Sequence, residues 1–390
     1  MKIAVVCDSF KGSLTSKDAC AAVKDGLLRC NKNFEVLSLP FADGGEGTSR
    51  CFYDILGGQL RKAAVHDPLL REITAEYTVL PDGTAVIDVA SASGLTLLKS
   101  SERDAVKVSS LGSGELICDA AEHGAKHIIL GLGGSATTDA GTGILYALGM
   151  RFFSEDGVEV LPDGQNMIRV KKIRRTENFK RFNDIKFTLA CDVTNPLCGE
   201  NGAAYVFSPQ KGASKNDVEL LDDGLRNIGE IFEKASGKKI INLPGAGAAG
   251  GIGGGLSAFL HCELQSGFDV LARAASLEDK IRRSDAVITG EGKTDRQTLF
   301  GKLPKRVSDI AEKFGVPCIL LSGDVENDIS AEKLGVCEIH KIKENGISLE
   351  HCMKNAASLL SERAFAIGKD SKIINKQYSR KQEKMRENER

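Results

Sequence analysis

The sequence has no Trp, and Phe and Tyr together make up only 5% of its 390 residues. Its cores must be built from aliphatic side chains, and a hydrophobic content of 42% supplies enough of them. Charge imbalance is also missing: 52 Lys and Arg face 53 Asp and Glu, a formal net charge of −1. That balance removes the overall basic character of a nucleic-acid or anionic-membrane binder. No apolar stretch reaches the ~20 residues needed to span a bilayer. Met1-Lys2 runs directly into Ile3-Ala4-Val5-Val6-Cys7, too short for the apolar region of a signal peptide. The eleven Cys form no C-x-x-C pair and the six His form no H-E-x-x-H. Reduced, mostly buried thiols are expected rather than zinc ligands or disulfides, in a soluble cytoplasmic chain. Walker A, the protein-kinase H-R-D and D-F-G pair and the G-x-S-x-G elbow are all absent.

Glycine, by contrast, is abundant at 42 residues, and part of it is clustered. The length suggests two domains, or three small ones. Residues 3–7 read as a short buried strand. A helix follows from Thr15 or Ser16, with Ala19, Val23 and Leu27 on its buried face. Residues 35–39 read as a second strand, and Thr48 starts a helix that ends at Gly57-Gly58. Near the other end, 286–289 and 317–321 read as strands around a helix at 303–314. This rhythm predicts parallel-sheet α/β units. Residues 72–90 predict a hairpin turning at Pro81-Asp82-Gly83. The expected organisation is α/β: residues 1–70 plus 281–368 build one domain, with 71–280 inserted as a second α/β domain. Residues 369–390 carry eight Lys or Arg against four Asp or Glu, and predict a disordered tail or frayed helix.

Polar loops repeatedly follow the predicted strands, and ligands in open α/β sheets bind at the carboxyl ends of strands. Asp8-Ser9-Phe10-Lys11 puts a point charge for phosphate or carboxylate beyond the first strand. Asp43-Gly44-Gly45-Glu46-Gly47 sets two acids among three glycines, a pattern shared by close ligand approach and by a tight turn. In Gly131-Leu132-Gly133-Gly134-Ser135-Ala136-Thr137-Thr138-Asp139, backbone N–H groups before a helix suit an anion. Close strand–helix packing asks for the same glycines. Cys191-Asp192-Val193-Thr194-Asn195-Pro196 places an acid at a strand end, and Gln210-Lys211-Gly212 follows. Gly245, Gly247 and Gly250 match G-x-G-x-x-G by letter and raise an NAD-dependent dehydrogenase as an alternative. The required second strand ending in an acid is not expected there, because Leu256–Leu264 reads as a helix. Thr289-Gly290-Glu291-Gly292-Lys293-Thr294-Asp295 interleaves acids and bases, which suits Mg²⁺–phosphate chemistry.

Taken in order, these strings resemble the bacterial class I glycerate kinase family. The resemblance runs from Asp8-Ser9-Phe10-Lys11-Gly12-Ser13 through Ala42-Asp43-Gly44-Gly45-Glu46-Gly47-Thr48, Gly131–Thr137, Asn195-Pro196-Leu197, Pro209-Gln210-Lys211-Gly212-Ala213 and Pro244–Gly251 to Thr289-Gly290-Glu291-Gly292. Ala140 stands where the family pattern expects Gly. The resemblance implies ATP, Mg²⁺ and D-glycerate, with 2-phosphoglycerate or 3-phosphoglycerate as product. It also implies a Rossmann-like domain made from both chain ends, an inserted α/β domain and a cleft site between them. Roles are assigned from chemistry. Asp192 and Asp295 are candidates for base or metal neighbour, and Lys11 for a charge on substrate. Asp8, Ser9, Asp43, Asn195 and Lys211 are assigned to substrate. Gly133, Gly134, Ser135, Thr137, Gly245, Gly247 and Gly250 are assigned to nucleotide phosphates, and Glu291 and Asp139 to the metal. A non-catalytic sensor of small phosphorylated acids is the further alternative.

Overall fold

The computed structural model describes residues 1–42, 44–344 and 346–379. Asp43 and the last part of the basic tail lie outside the described residues. The chain divides into two compact units, Met1–Asp43 with Leu271–Arg390, and Gly44–Val270.

In the first unit the apolar runs become a five-stranded parallel sheet. Its order is Glu338–Lys341, Cys318–Ser322, Ala286–Gly290, Lys2–Cys7, Glu35–Pro40. The central strands are near-continuous apolar runs because helices cover both faces of such a sheet. Ile3 to Val6 and Ala286 to Ile288 are fully buried. The Ser16–Cys30 helix begins where Thr15 Oγ1 accepts the Asp18 N–H at 3.1 Å. It buries Ala19, Val23 and Leu27, the face expected from their spacing. At Gly26 it closes on the Ala356–Asp370 helix: a Cβ there would lie 2.1 Å from the Ser361 carbonyl oxygen.

The tail differs from expectation. Residues 372–379 are helical. Ile374 is completely buried in the core of this unit, and Tyr378 sets its ring edge-on to Phe34 at 5.9 Å. Two large apolar side chains among the basic ones anchor this segment, a signal that net charge hides.

The second unit holds a six-stranded mixed sheet, ordered His261–Gln265, Lys186–Ala190, His127–Gly131, Ala85–Asp88, Glu72–Val79, Gln59–His66. The first four strands are parallel; the last two pairings are antiparallel. Residues 44–70, expected in the end-built domain, contribute the Thr48–Leu56 helix and the Gln59–His66 strand to this unit. Gln59–His66 pairs with Glu72–Val79 across a short turn, as antiparallel neighbours can. A second correction falls at Leu256–Leu264. The helix stops at Phe259, Leu260 is extended, and His261–Gln265 is an edge strand.

In register, Asp88, Gly131, Ala190 and Gln265 end the four parallel strands together. The loops that follow share that edge of the sheet. Among the described residues, no helix is long and apolar enough to cross a membrane.

Candidate active site

The first unit carries a cavity of about 580 Å³ at the carboxyl ends of the Lys2–Cys7, Ala286–Gly290 and Cys318–Ser322 strands. Asp8, Ser9, Lys11, Glu291 and Asp295 all line it, although more than half the chain separates the two loops. The sheet does this work, pairing Cys7 with Gly290 in register. The loops are then stitched to each other. Asp8 N–H donates to the Gly290 carbonyl at 2.9 Å, and Gly323 N–H to the Glu291 carbonyl at 3.0 Å. A Cβ on Gly323 would lie 2.1 Å from the Gly292 carbonyl oxygen, so only glycine permits this approach.

The charged groups differ in how committed they are. Asp8 Oδ1 accepts the Ser9 N–H at 2.6 Å. Asp295 caps the Arg296–Leu299 turn, accepting Gln297 N–H at 2.9 Å and facing Lys302 Nζ at 3.4 Å. Glu291 is buried and accepts from Thr298 Oγ1 at 2.7 Å, and its burial raises its pKa. Lys293 pairs with Glu326 at 2.8 Å and Lys343 with Asp324 at 2.7 Å. Lys11 is exposed, and no ion pair engages it among the described residues. Lys302, Asp324 and Lys343 also line the cavity and were not assigned from sequence. Asp324 follows a predicted strand, so the strand-end rule could have found it. Met353 and Cys352, on the Leu349–Lys354 helix, carry no such signal.

The glycine loops of the second unit are packed differently. Gly133 N–H donates to the Gly44 carbonyl at 3.0 Å, and a Cβ on Gly133 would lie 2.5 Å from Gly45 Cα. A Cβ on Gly134 would lie 3.1 Å from the Ala90 side chain. Lys211, buried on the Pro209–Lys211 turn, donates to Ser135 Oγ at 3.0 Å and to the Thr137 carbonyl at 2.7 Å. Three residues assigned separately thus meet, but the lysine holds the loop. Burial lowers the Lys211 pKa to about 8. Asp88, unassigned from sequence, accepts N–H from Gly47 and Ser49, each at 3.0 Å. Its burial outweighs those donors and raises its pKa to about 7.

Two assignments are corrected here. Asp139 is fully buried and accepts from Ser110 N–H and Oγ–H, Gly141 N–H and Gly143 N–H. With its lone pairs so occupied, it ties loops together instead of offering itself to a metal. Gly245, Gly247 and Gly250 face protein. A Cβ would lie 3.3 Å from the Val193 carbonyl oxygen at Gly245, 2.3 Å from that of Pro196 at Gly247 and 2.0 Å from that of Thr137 at Gly250. These glycines make room for neighbouring backbone, and the N–H groups of Ala246, Gly247 and Ala248 donate to the carbonyls of Leu243, Asn195 and Gly245. Asn195 donates from Nδ2 to the Asn201 carbonyl at 2.8 Å, and its own carbonyl accepts Gly247 N–H at 3.0 Å. Asp192 is exposed at the head of the same loop.

The model of the glycerate kinase family matches residues 3–372, from the first strand to the start of the last helical segment. The chain belongs to the glycerate kinase family. A glycerate kinase of Halalkalibacterium halodurans is 38% identical to it, over 93% of this chain and 96% of its own. A glycerate 2-kinase of Escherichia coli K12 is 40% identical, over 84% of this chain and 87% of its own. A crystal structure assigned to glycerate kinase 2 of Salmonella typhimurium LT2 matches with a TM-score of 0.84 and 35% identity, covering 95% of this chain and 97% of that one. Membership of the glycerate kinase family and the packed glycines together displace the dehydrogenase alternative. The α/β fold class and the family resemblance are both borne out.

Proposed function

We propose that this protein is an ATP-dependent glycerate kinase that phosphorylates D-glycerate to 2-phosphoglycerate. Family membership supports the reaction, and the name of the 40% identical glycerate 2-kinase supports the product. The observation that carries the reading in this chain is the cavity, which Lys11 lines together with Asp8 and Asp295.

A glycerate hydroxyl attacks the γ-phosphorus, the bond from phosphorus to the β–γ bridging oxygen breaks, and ADP leaves. A carboxylate positioned to accept the hydroxyl proton is worth about 10²–10⁴ in rate. Asp192 and Asp295 are the two candidates, as acids just beyond strands. Among the described residues no cluster of three or more His, Cys, Asp or Glu is poised to hold a metal by itself. Mg²⁺ does not need one, since it takes one or two carboxylates together with phosphate oxygens. Asp8 and Asp295, which line the cavity, can each serve as such a carboxylate, and Glu291, bonded to Thr298, lines the same cavity. Bound with the nucleotide, Mg²⁺ supplies charge neutralisation on the phosphates. ATP as co-substrate and eleven free thiols fit the cytoplasm.

Incubation with ATP, Mg²⁺ and D-glycerate should give ADP and 2-phosphoglycerate by phosphorus NMR, and chelation should stop it. A 3-phosphoglycerate signal would correct the product. Binding without turnover over a panel of hydroxy acids would favour a sensor. Asp192→Asn and Asp295→Asn then assign the base: its variant loses kcat with little change in KM for glycerate, whereas loss of a metal neighbour raises the Mg²⁺ requirement.

A further inference from the structure

We propose that the cavity of the first unit is the nucleotide subsite, seating adenosine on its apolar wall and the polyphosphate at Lys11 and Lys302. The inference rests on the kinase reading and adds which of the two substrates this cavity takes.

Size is the first argument. At about 580 Å³ the cavity falls within the ~300–1,000 Å³ typical of sites for drug-sized ligands. Glycerate has three carbons and would leave most of it empty. The second argument is its mixed lining. Ile342, Cys352 and Ala356 are buried in it, and Leu349 and Met353, both exposed, add apolar surface from the Leu349–Lys354 helix that carries Cys352. Glycerate has no apolar face for such a wall. A purine does, and a thioether makes favourable contacts with aromatic rings. The Lys11 loop is packed against this wall: a Cβ at Gly12, where φ is +79°, would lie 2.9 Å from the Met353 methyl carbon.

The third argument is which cations are available. Lys293 and Lys343 are held by close carboxylates, at 2.8 and 2.7 Å. Among the described residues the one ion pair of Lys302 is its 3.4 Å contact with Asp295, and Lys11 has none. Those two can turn to phosphate oxygens without breaking a tight pair. The fourth is competition. In the 245–250 run the N–H groups of Ala246, Gly247 and Ala248 already donate to the carbonyls of Leu243, Asn195 and Gly245, and those are the groups a phosphate would need.

Hydrogen exchange of the full chain, with and without ATP and Mg²⁺, tests the location. Protection is expected in residues 8–13, 291–302 and 349–356. Protection confined to 131–141 or 245–255, in an enzyme that turns over, overturns the subsite and leaves the kinase reading intact. If the folded protein neither binds ATP nor turns over, both fail. Calorimetry separates the two ends of the site. Lys11→Gln should weaken both ATP and inorganic tripolyphosphate by about 10–100-fold, the loss of one charge-assisted contact. Met353→Glu should weaken ATP by about tenfold or more and leave tripolyphosphate unchanged. Unchanged ATP affinity in either variant, with a parental melt, overturns the corresponding end.

Discussion

The two units use the same local sequence device, a glycine-rich polar loop after a buried strand, for different ends. In the first unit the loops after Cys7 and Gly290 line a cavity and present side chains to it. In the second, the loops after Gly131 and around Gly247 turn inward, where carbonyls occupy the space a side chain would need. A buried lysine, a buried carboxylate and several glycines hold them. Glycine count therefore marks close backbone approach, and it does not say whether a ligand or another strand of protein is approaching.

The largest effect should come from filling a packed glycine. Gly250 has φ +68°, and its Cβ position is 2.0 Å from the Thr137 carbonyl oxygen. Gly250→Val combines backbone strain with a clash, and should cost about 4 kcal/mol or more, enough to abolish a cooperative melt. A parental melting curve with weakened ATP use would erase the contrast between the units.

Next is the tail. Removing residues 371–390 deletes Ile374 from the core and Tyr378 from Phe34. Full burial of Ile374 and half-burial of Tyr378 predict a loss of about 2–4 kcal/mol in denaturant unfolding. An unchanged midpoint would return the whole segment to the solvated tail that its charge suggests.

A smaller effect should depend on pH. The Lys211 pKa is about 8 in the fold, below the 10.5 of an ordinary lysine, because burial disfavours the ammonium. The folded state prefers the neutral amine. Its contribution is present above pH ~10.5 and is lost as pH falls through about 8. The stability of the parent relative to Lys211→Met should thus rise by about 1–3 kcal/mol between pH 7 and 10.5. A flat difference would mean that the lysine is not buried as described. Lys11→Gln is the counterpart in the open loop, and its unfolding free energy should stay within about 0.5 kcal/mol of the parent. A large loss there would show that Lys11 also holds structure.

Much of the candidate site was legible because strand ends are legible. Asp8, Lys11, Glu291 and Asp295 were found by that rule and meet in one cavity. Asp88 and Asp324 obey the same rule, each lying at or just beyond the end of a buried strand. The rule also drew in Asp139, whose sequence context matches that of a ligand. Only its four donors, two of them from Ser110 some 29 residues away, reveal a tie. Residues 44–70 were misplaced because a strand's partner is chosen by pairing, which a reading of single elements does not contain.

By itself the sequence determined the α/β class, the buried faces and the strand ends where chemistry gathers. Periodicity and strand-end polarity are local and follow from backbone geometry. It also determined the family, through strings of residues spread along the chain. Tertiary structure decided which glycines face a cavity and which face carbonyls. It also decided that Ile374 is core, and that Met353 and Lys11 belong to one pocket. Those outcomes depend on what lies opposite in space, and the sheet sets that by bringing the strand after Met1 beside the strand that ends at Gly290.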